Sequence, residues 1–374
     1  MAMNFQQFAV AGVQQLSPYQ PGKPIDELAR ELGLQEADIV KLASNENPLG
    51  ASPKALDAIA AVMPELALYP DGAGFELKRA LSEKLGVQPA QITLGNGSSD
   101  ILDFMTRVFV NDGDNVVYSQ HAFAIYGLCA KMVGAESIVV PAKNYGHDLV
   151  AMAAAINDRT RIIFVTNPNN PTGTWNTAGE LDAFLAAVPE RVLVVLDEAY
   201  FEYVADADYP NGLDYLDRYP NLVITRTFSK AYGLASLRVG YGISSVELAD
   251  LLNRVRPPFN VNSFALAAAT AALSDHEYVA ASLACNNEGM AYLTRQFTEL
   301  GLSYIPSVGN FISVKMPEGV DAMVVYQGLL QEGVIVRPVA NYEMPEYLRV
   351  SIGTDAENAI FITALRHVLS TLSA

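Results

Sequence analysis

The stretch T-F-S-K-A-Y-G at residues 227–233, followed by R-V-G at residues 238–240, is the most informative part of this chain. It places Lys230 between hydroxyl side chains, and Arg238 follows eight positions later. A lysine amine among phosphate-binding groups is suited to hold an aldehyde as a Schiff base. A serine–lysine dipeptide alone is more often a surface feature after a strand. The interpretation therefore depends on the rest of the chain.

A second segment places an acid at the end of an apolar strand. The run V-L-V-V-L at residues 192–196 leads directly into D-E-A-Y at residues 197–200. Ligands of α/β folds bind at the carboxyl ends of such strands. There, Asp197 can pair with a protonated heterocyclic nitrogen, and Tyr200 can hydrogen-bond an oxygen on the same ring. The alternative is an exposed acid that caps a helix.

Two further loops also follow predicted strands. The loop T-N-P-N-N-P-T-G at residues 166–173 is a rigid turn in which an asparagine can donate to a ligand oxygen. The loop G-N-G-S-S-D at residues 95–100 leads into a helix, whose first N–H groups can bind phosphate. Thr227, Ser229 and Arg238 can complete a phosphate cup. Together the four segments fit one ring cofactor that has a phosphate, a ring nitrogen, a ring oxygen and an aldehyde.

Apolar strands alternate with amphipathic helices over the first two thirds of the chain. Several of the strands are continuous β-branched runs, as expected for strands buried on both faces. This alternation predicts an α/β fold with a mainly parallel sheet flanked by helices. Strands are predicted at residues 91–94, 115–119, 137–140, 161–166, 192–196 and 222–225, and helices at 97–109, 149–156 and 177–188.

The pattern changes after P-P-F-N at residues 257–260. Helices at 263–273 and 276–300 precede a mixture of short strands and helices, which predicts a second, smaller α+β domain. We therefore expect an N-terminal arm and helix associated with the small domain, a large cofactor-binding domain and a small C-terminal domain. Their predicted bounds are 1–35, 36–262 and 263–374.

Composition restricts the possible partners. The 374 residues include 24 basic and 41 acidic side chains, for a net charge of −17. Nucleic acids and anionic membranes need a basic face, so neither is expected as a partner. We find no secretory signal and no metal-type cysteine pair, and we expect no metal site. The two cysteines are expected to be buried thiols in a reducing cytoplasm.

The segments N-P-N-N-P-T-G, D-E-A-Y and T-F-S-K-A-Y-G-L-A-S-L-R-V-G resemble those of the fold-type-I, pyridoxal-5′-phosphate-dependent aminotransferases. L-S-P-Y-Q-P-G-K-P at residues 16–24 and K-L-A-S-N-E-N-P-L-G at 41–50 narrow the resemblance to the histidinol-phosphate aminotransferase family. The similarity runs from about Leu16 to the C-terminus. It implies a seven-stranded, mainly parallel sheet in the large domain, and pyridoxal 5′-phosphate as the cofactor.

The resemblance also implies residue roles. Lys230 would form the Schiff base and move a proton, and Asp197 would pair with the ring nitrogen. Tyr200 and Asn170 would contact the ring oxygen, and Phe123 would stack on the ring. The residues that would hold the cofactor phosphate are Ser98, Ser99, Thr227, Ser229 and Arg238. At Ser98 and Ser99 the backbone N–H groups can fill this role whatever their side chains do.

The substrate side of the site follows from the same resemblance. Arg349, in Y-L-R-V-S, would bind an amino-acid carboxylate, and Arg337 and Tyr19 would contact a substrate phosphate. Tyr69 would reach the cofactor phosphate of a neighbouring subunit, which implies an obligate homodimer. The implied reaction is a transamination between histidinol phosphate and 2-oxoglutarate, a step of cytoplasmic histidine biosynthesis.

Three alternatives remain open at this point. An aminotransferase for aromatic amino acids or arogenate could use the same scaffold with a few different pocket residues. A lyase or decarboxylase could also have this fold. A cofactor-binding regulator is a third alternative, but such proteins usually carry a DNA-binding module, and this chain has neither a spare N-terminal domain nor a basic face.

Overall fold

The computed structural model describes residues 4–14, 16–18 and 22–372. Helices and strands alternate along most of this part of the chain. The helices are α1 (Ala11–Gln14), α2 (Ile25–Leu32), α3 (Pro53–Val62), α4 (Phe75–Leu85), α5 (Ser98–Phe109), α6 (Ile125–Met132), α7 (Leu149–Ala154), α8 (Ala178–Ala187), α9 (Val246–Val255), α10 (Ser263–Leu273), α11 (His276–Glu299), α12 (Ala322–Gln331) and α13 (Asp355–Leu372). The strands are β1 (Val40–Lys41), β2 (Ile92–Gly95), β3 (Asn115–Ser119), β4 (Glu136–Val140), β5 (Thr160–Thr166), β6 (Leu193–Asp197), β7 (Leu222–Thr227), β8 (Gly240–Ile243), β9 (Tyr304–Ile305), β10 (Phe311–Lys315), β11 (Val334–Ile335), β12 (Arg337–Pro338) and β13 (Tyr347–Ser351).

Seven strands form a central sheet in the order β2-β8-β7-β6-β5-β3-β4. The neighbours from β7 to β4 are parallel, whereas β8 is antiparallel to both β2 and β7. The middle strands are mostly apolar and almost entirely buried, because helices cover both faces of the sheet. This sheet confirms the predicted α/β fold and its mainly parallel strands.

The antiparallel strand β8 was missed because its sequence, G-Y-G-I, is rich in glycine, which weakens the strand signal. Both glycines have a packing reason. A Cβ atom on Gly240 would collide with the backbone nitrogen of Ser98, and one on Gly242 would lie 2.9 Å from the Ile101 side chain. The glycines therefore let the start of α5 lie directly against the sheet.

A smaller antiparallel sheet, in the order β12-β13-β10-β9, lies in the C-terminal part of the chain. Helices α11, α12 and α13 cover it around the buried rings of Phe297 and Phe361. Helix α2 packs on Leu330 and Ile335 of the same part.

Two contacts cross the predicted domain boundaries. Strand β1 pairs in parallel with β11, and the alanine-rich helix α10 packs on α3 and α4 beside the large sheet. The boundaries at 35/36 and 262/263 therefore stay predictions. Among the described residues, no helix combines the length and the apolar character needed to cross a membrane.

Candidate active site

A cavity of about 320 Å³ lies at the carboxyl ends of β5, β6 and β7, and the smaller sheet contributes one wall. Its position agrees with the rule that ligands of α/β folds bind beyond the carboxyl ends of parallel strands. Twelve of the predicted site residues line it: Ser98, Ser99, Phe123, Asn170, Asp197, Tyr200, Thr227, Ser229, Lys230, Arg238, Arg337 and Arg349.

Lys230 follows the end of β7, and its amine reaches into the cavity. Its Nζ donates a hydrogen bond to the Ser44 carbonyl at 3.2 Å and lies 5.7 Å from the centre of the Tyr200 ring. Burial lowers the pKa of Lys230 from 10.5 to about 7; the positive charge of Arg349 acts in the same direction, and Glu46 opposes it. At neutral pH a larger fraction of this amine is therefore neutral, and so nucleophilic, than of an exposed lysine.

Asp197 ends β6 and is 3% exposed. Its Oδ2 accepts a hydrogen bond from the Tyr126 hydroxyl at 2.8 Å, while Oδ1 has no hydrogen-bond partner within the described ranges. Burial raises the pKa of the Asp197 carboxyl, and the Tyr126 hydroxyl opposes this effect. A buried carboxylate oxygen without a donor is costly unless a ligand supplies one. The protonated nitrogen of a pyridine ring would be such a donor.

Tyr126 is a site residue that the sequence analysis missed. Its ring is fully buried and stacks on Phe164 at 4.6 Å, and its hydroxyl also hydrogen-bonds Thr166 Oγ1 at 2.7 Å. A tyrosine in an apolar helix is usually read as a core residue, so no local pattern pointed to it.

Glu198, next to Asp197, is buried and paired with Arg226 at 2.8 Å. The alternative of an exposed helix-capping acid therefore does not describe this segment.

The predicted phosphate-binding groups meet at the N-terminus of α5. Arg238 Nη1 donates to Ser229 Oγ at 3.3 Å, and Thr227 Oγ1 donates to the same oxygen at 3.0 Å. A Cβ on Gly97 would collide with the Arg238 guanidinium. Glycine at 97 thus leaves room for the arginine beside the first N–H groups of α5, an arrangement that can hold a phosphate.

Tyr200 and Asn170 lie on the side of the cavity that faces the smaller sheet. Burial raises the pKa of Tyr200 to about 12, and its hydroxyl accepts a hydrogen bond from Asn45 Nδ2 at 2.9 Å. Asn45 was also missed, although it lies in the quoted K-L-A-S-N-E-N segment. The Asn170 side-chain oxygen accepts a hydrogen bond from Arg349 Nη1 at 2.6 Å, so its amide nitrogen is the group available to a ligand oxygen.

Arg337 and Arg349 lie directly opposite each other on the antiparallel strands β12 and β13. Both line the cavity. Arg349 is 7% exposed, and its Nη2 donates to the Ala43 carbonyl at 2.6 Å. Like charges at opposite positions of neighbouring strands are destabilising. Two arginines at this place are therefore suited to anionic ligands, which would offset their repulsion.

Tyr69, unlike those twelve residues, does not line this cavity. Tyr19 lies outside the described residues. Tyr69 is 82% exposed and stacks on Phe259 at a ring distance of 4.6 Å. Its place away from its own chain's cavity is compatible with the predicted contact to a neighbouring subunit, which stays a prediction.

Comparison with known proteins gives the family of this chain. The model of the aminotransferase class I and II family matches residues 37–365. Histidinol-phosphate aminotransferase 2 of Pseudomonas fluorescens strain Pf0-1 is 62% identical over 370 residues, which cover 99% of this chain and 100% of that protein. Histidinol-phosphate aminotransferase 1 of Nitrosococcus oceani is 60% identical, and the match covers 98% of this chain and 98% of that protein.

A solved structure is also similar. The histidinol-phosphate aminotransferase from Sinorhizobium meliloti in complex with pyridoxal-5′-phosphate matches with a TM-score of 0.88 and 30% identity, over 97% of this chain and 98% of that one. The chain therefore belongs to the class I and II aminotransferases, which depend on pyridoxal 5′-phosphate. Within that family, two relatives that are 62% and 63% identical to this chain are named histidinol-phosphate aminotransferases.

Proposed function

We propose that this chain transfers an amino group between histidinol phosphate and 2-oxoglutarate, giving imidazole-acetol phosphate and glutamate, a step of histidine biosynthesis. The observation that carries the proposal is the pair Arg337 and Arg349, placed opposite each other in a cavity that also contains Lys230. One substrate brings a phosphate and no carboxylate, whereas glutamate brings carboxylates. Planar guanidinium groups can bind either anion through two parallel hydrogen bonds.

The cavity residues fit pyridoxal 5′-phosphate. Asp197 Oδ1 would accept a hydrogen bond from the protonated ring nitrogen, and Phe123 would cover the ring. Asn170 Nδ2 and Tyr200 would contact the ring oxygen. The phosphate would lie on the first N–H groups of α5 with Thr227, Ser229 and Arg238 around it. When bound, the cofactor supplies an aldehyde for Schiff-base formation and a ring that takes up the electron pair left when a proton is removed.

Protein side chains then supply the proton transfers. The Lys230 amine would take the proton from the substrate Cα and would then act as the acid that donates it again. Its lowered pKa suits this role, because an amine with a pKa near 7 can accept and release a proton at neutral pH. Asp197, held by Tyr126, would keep the proton on the ring nitrogen throughout. Arg337 and Arg349 would hold the anionic end of each substrate in turn.

The proposal predicts a substrate preference that steady-state kinetics can measure. With 2-oxoglutarate as acceptor, we expect kcat/KM for histidinol phosphate to exceed that for phenylalanine by about 100-fold or more, because phenylalanine offers Arg349 a carboxylate but has no phosphate for Arg337. The measurement is glutamate formation at matched amine concentrations. A higher kcat/KM for phenylalanine or tyrosine would favour the aromatic aminotransferase instead.

We further propose that the enzyme is a homodimer in which Tyr69 contacts the partner's cofactor phosphate. The segment before and after Tyr69 exposes a run of large apolar side chains, which is typical of an interface. These side chains are Leu56, Met63, Leu66, Leu68, Tyr69 and Phe75. Arg256 supports the segment by donating to the Gly72 carbonyl at 2.7 Å.

A mixed-dimer experiment tests this arrangement. A dimer of one Lys230→Ala chain and one Tyr69→Ala chain would contain one site with both changes and one intact site. We expect about half of the wild-type activity per dimer. The control pairs a Lys230→Ala/Tyr69→Ala chain with a wild-type chain, which leaves no intact site. If only the control dimer were active, Tyr69 would serve its own subunit and the proposal would be wrong.

We also propose that the reaction takes place in the cytoplasm. The proposed substrates are phosphorylated or dicarboxylic metabolites, which charge keeps from crossing a bilayer unaided. Both cysteines, Cys129 and Cys285, are free thiols, as is usual in a reducing compartment. Fractionation of cells followed by an activity assay would test the location.

A further inference from the structure

Glu46 is a cavity residue with no role so far. Of the described residues that line the cavity, Asp197 and Glu46 carry carboxylates. Asp197 lies at the end of β6 and fits the cofactor ring nitrogen. Glu46 instead belongs to the segment after β1, and its side chain is about half exposed to the cavity and solvent. The inference that follows rests on the proposed function.

The backbone on both sides of Glu46 is firmly held. Asn310 Nδ2 donates to the Asn45 carbonyl at 3.0 Å. On the other side, Asn47 Nδ2 donates to the Ala231 carbonyl at 3.0 Å and to Ser282 Oγ at 2.7 Å. These bonds join the segment to both the small sheet and the Lys230 loop. Glu46 therefore enters the cavity from a backbone that is fixed before substrate binds.

The Glu46 carboxylate is also oriented. Lys41 Nζ lies 3.1 Å from Oε1 and 3.0 Å from Oε2. Lys41 pairs with Ile335 across β1 and β11, two residues before Arg337. Glu46 therefore lies at the same edge of the cavity as the arginine proposed for the substrate phosphate, with acceptor capacity left on both carboxylate oxygens.

One part of histidinol phosphate still lacks a partner. Its amine reacts at the cofactor and its phosphate is assigned to the arginine pair. The imidazole ring is attached to the Cα through a different substituent from the phosphate. It carries at least one N–H donor in both of its protonation states. A ring donor that enters a closed site needs an acceptor there.

We propose that Glu46 accepts a hydrogen bond from the imidazole N–H of the substrate and selects it over a phenyl ring. A site with a fixed acceptor discriminates strongly against an analogue that lacks the donor, because the acceptor is then desolvated without a partner. Glu46 is thus a specificity residue of the same site. It would explain how one scaffold separates histidinol phosphate from aromatic substrates.

The experiment compares histidinol phosphate with phenylalaninol phosphate, which has the same amine and phosphate but no ring N–H. In the Glu46→Leu holoenzyme we expect kcat/KM for histidinol phosphate to fall by about 10- to 100-fold, the loss expected for a hydrogen bond to a charged group. For phenylalaninol phosphate we expect kcat/KM to stay the same or to rise, because leucine removes the acceptor that the phenyl ring leaves without a partner. Glu46→Gln keeps an acceptor oxygen and should lie between wild type and Glu46→Leu.

A binding measurement and a control variant accompany the kinetics. Calorimetric titration with imidazolylpropyl phosphate, which lacks the amine and cannot react, should show the same loss of affinity in Glu46→Leu. Lys41→Met removes the partner of Glu46 but keeps its carboxylate, so the preference for the imidazole substrate should stay within about fivefold of wild type.

Two results would overturn the inference. An equal loss on both substrates would mean that Glu46 acts through Lys230 or the fold, and no loss on either would mean that it does not contact the ring. Wild-type enzyme that fails to use histidinol phosphate at all would contradict the proposed function itself. Wild-type turnover with an unchanged substrate ratio in Glu46→Leu would contradict this inference alone.

Discussion

The Lys230→Ala variant is expected to lose about 10⁴-fold or more in kcat, near the upper end of what a general acid–base group contributes. Lys230 is the amine in the cavity, and its pKa of about 7 makes it both the nucleophile and the proton carrier. Alanine leaves neither function. Transamination measured over hours with a sensitive glutamate assay would show the loss.

A matched lysine controls for nonspecific effects. Lys84 also has a pKa lowered by burial, but it lies outside the cavity and donates to the Leu273 carbonyl at 2.9 Å. Lys84→Met should keep kcat within about threefold, as is usual for a change away from a functional site. Small amines added to Lys230→Ala should restore part of the proton transfer. A Lys230→Ala enzyme that retained a tenth of the wild-type rate would contradict its assignment.

Replacing either cavity arginine is expected to have the next largest effect on kcat/KM. The loss should differ between the two substrates. Arg349→Ala should lower kcat/KM for glutamate by about 10²- to 10³-fold, because it removes a buried charge that binds the carboxylate. Arg337→Ala should lower kcat/KM for histidinol phosphate by about 10- to 100-fold, the value of charge-assisted hydrogen bonds to a phosphate. Each half-reaction is measured separately with one substrate in excess.

Controls separate binding from folding in these variants. Arg349 also donates to Asn170 and the Ala43 carbonyl, so thermal unfolding of Arg349→Ala must be compared with wild type. Arg349→Lys keeps the charge but loses the planar fork and should recover little. Arg366 is an exposed arginine of α13 whose change to alanine should have no effect. An Arg337→Ala enzyme that kept its affinity for histidinol phosphate but lost it for glutamate would contradict the proposed roles.

Much of the large sheet could be predicted because its strands are long apolar runs. Residues 115–119 were predicted as a strand with the observed ends, and the other predicted strands of this sheet differ by one or two residues at either end. Strand β8 was missed because two of its four residues are glycines required by the packing of α5. Residues 334–338 form two short strands, β11 and β12, that pair with different partners, β1 and β13. Pairing of this kind is a tertiary property that local periodicity cannot show.

Site residues could be predicted where a reactive or ligand-binding side chain directly follows an apolar run that predicts a strand. Asp197 and Lys230 follow apolar runs and stand beside the glycines, prolines and hydroxyls of loops. Asn45, Glu46 and Tyr126 follow no predicted strand, and the partners of Asn45 and Tyr126 are remote in sequence. Asn45, for example, meets Tyr200 across 155 positions of the chain. Only the fold brings Asn45 and Glu46 to the cavity and Tyr126 to Asp197.

The pairing register of the small sheet could not be predicted from the sequence. Arg337 and Arg349 were expected to bind different groups, but nothing indicated that they would face each other across one pair of strands. That placement puts two guanidinium groups on one wall of the cavity and makes binding of either a phosphate or a carboxylate a property of the same surface. The proposal for two chemically different substrates depends on it.

A single-turnover reaction of the wild-type holoenzyme tests the central proposal most directly. The enzyme is mixed with histidinol phosphate or with phenylalanine in the absence of a keto acid, and loss of the visible band of the lysine-bound cofactor is followed by stopped flow. We expect the rate constant for histidinol phosphate at limiting concentration to be larger by about 100-fold or more. A faster reaction with phenylalanine, or no loss of the band with histidinol phosphate, would contradict the account.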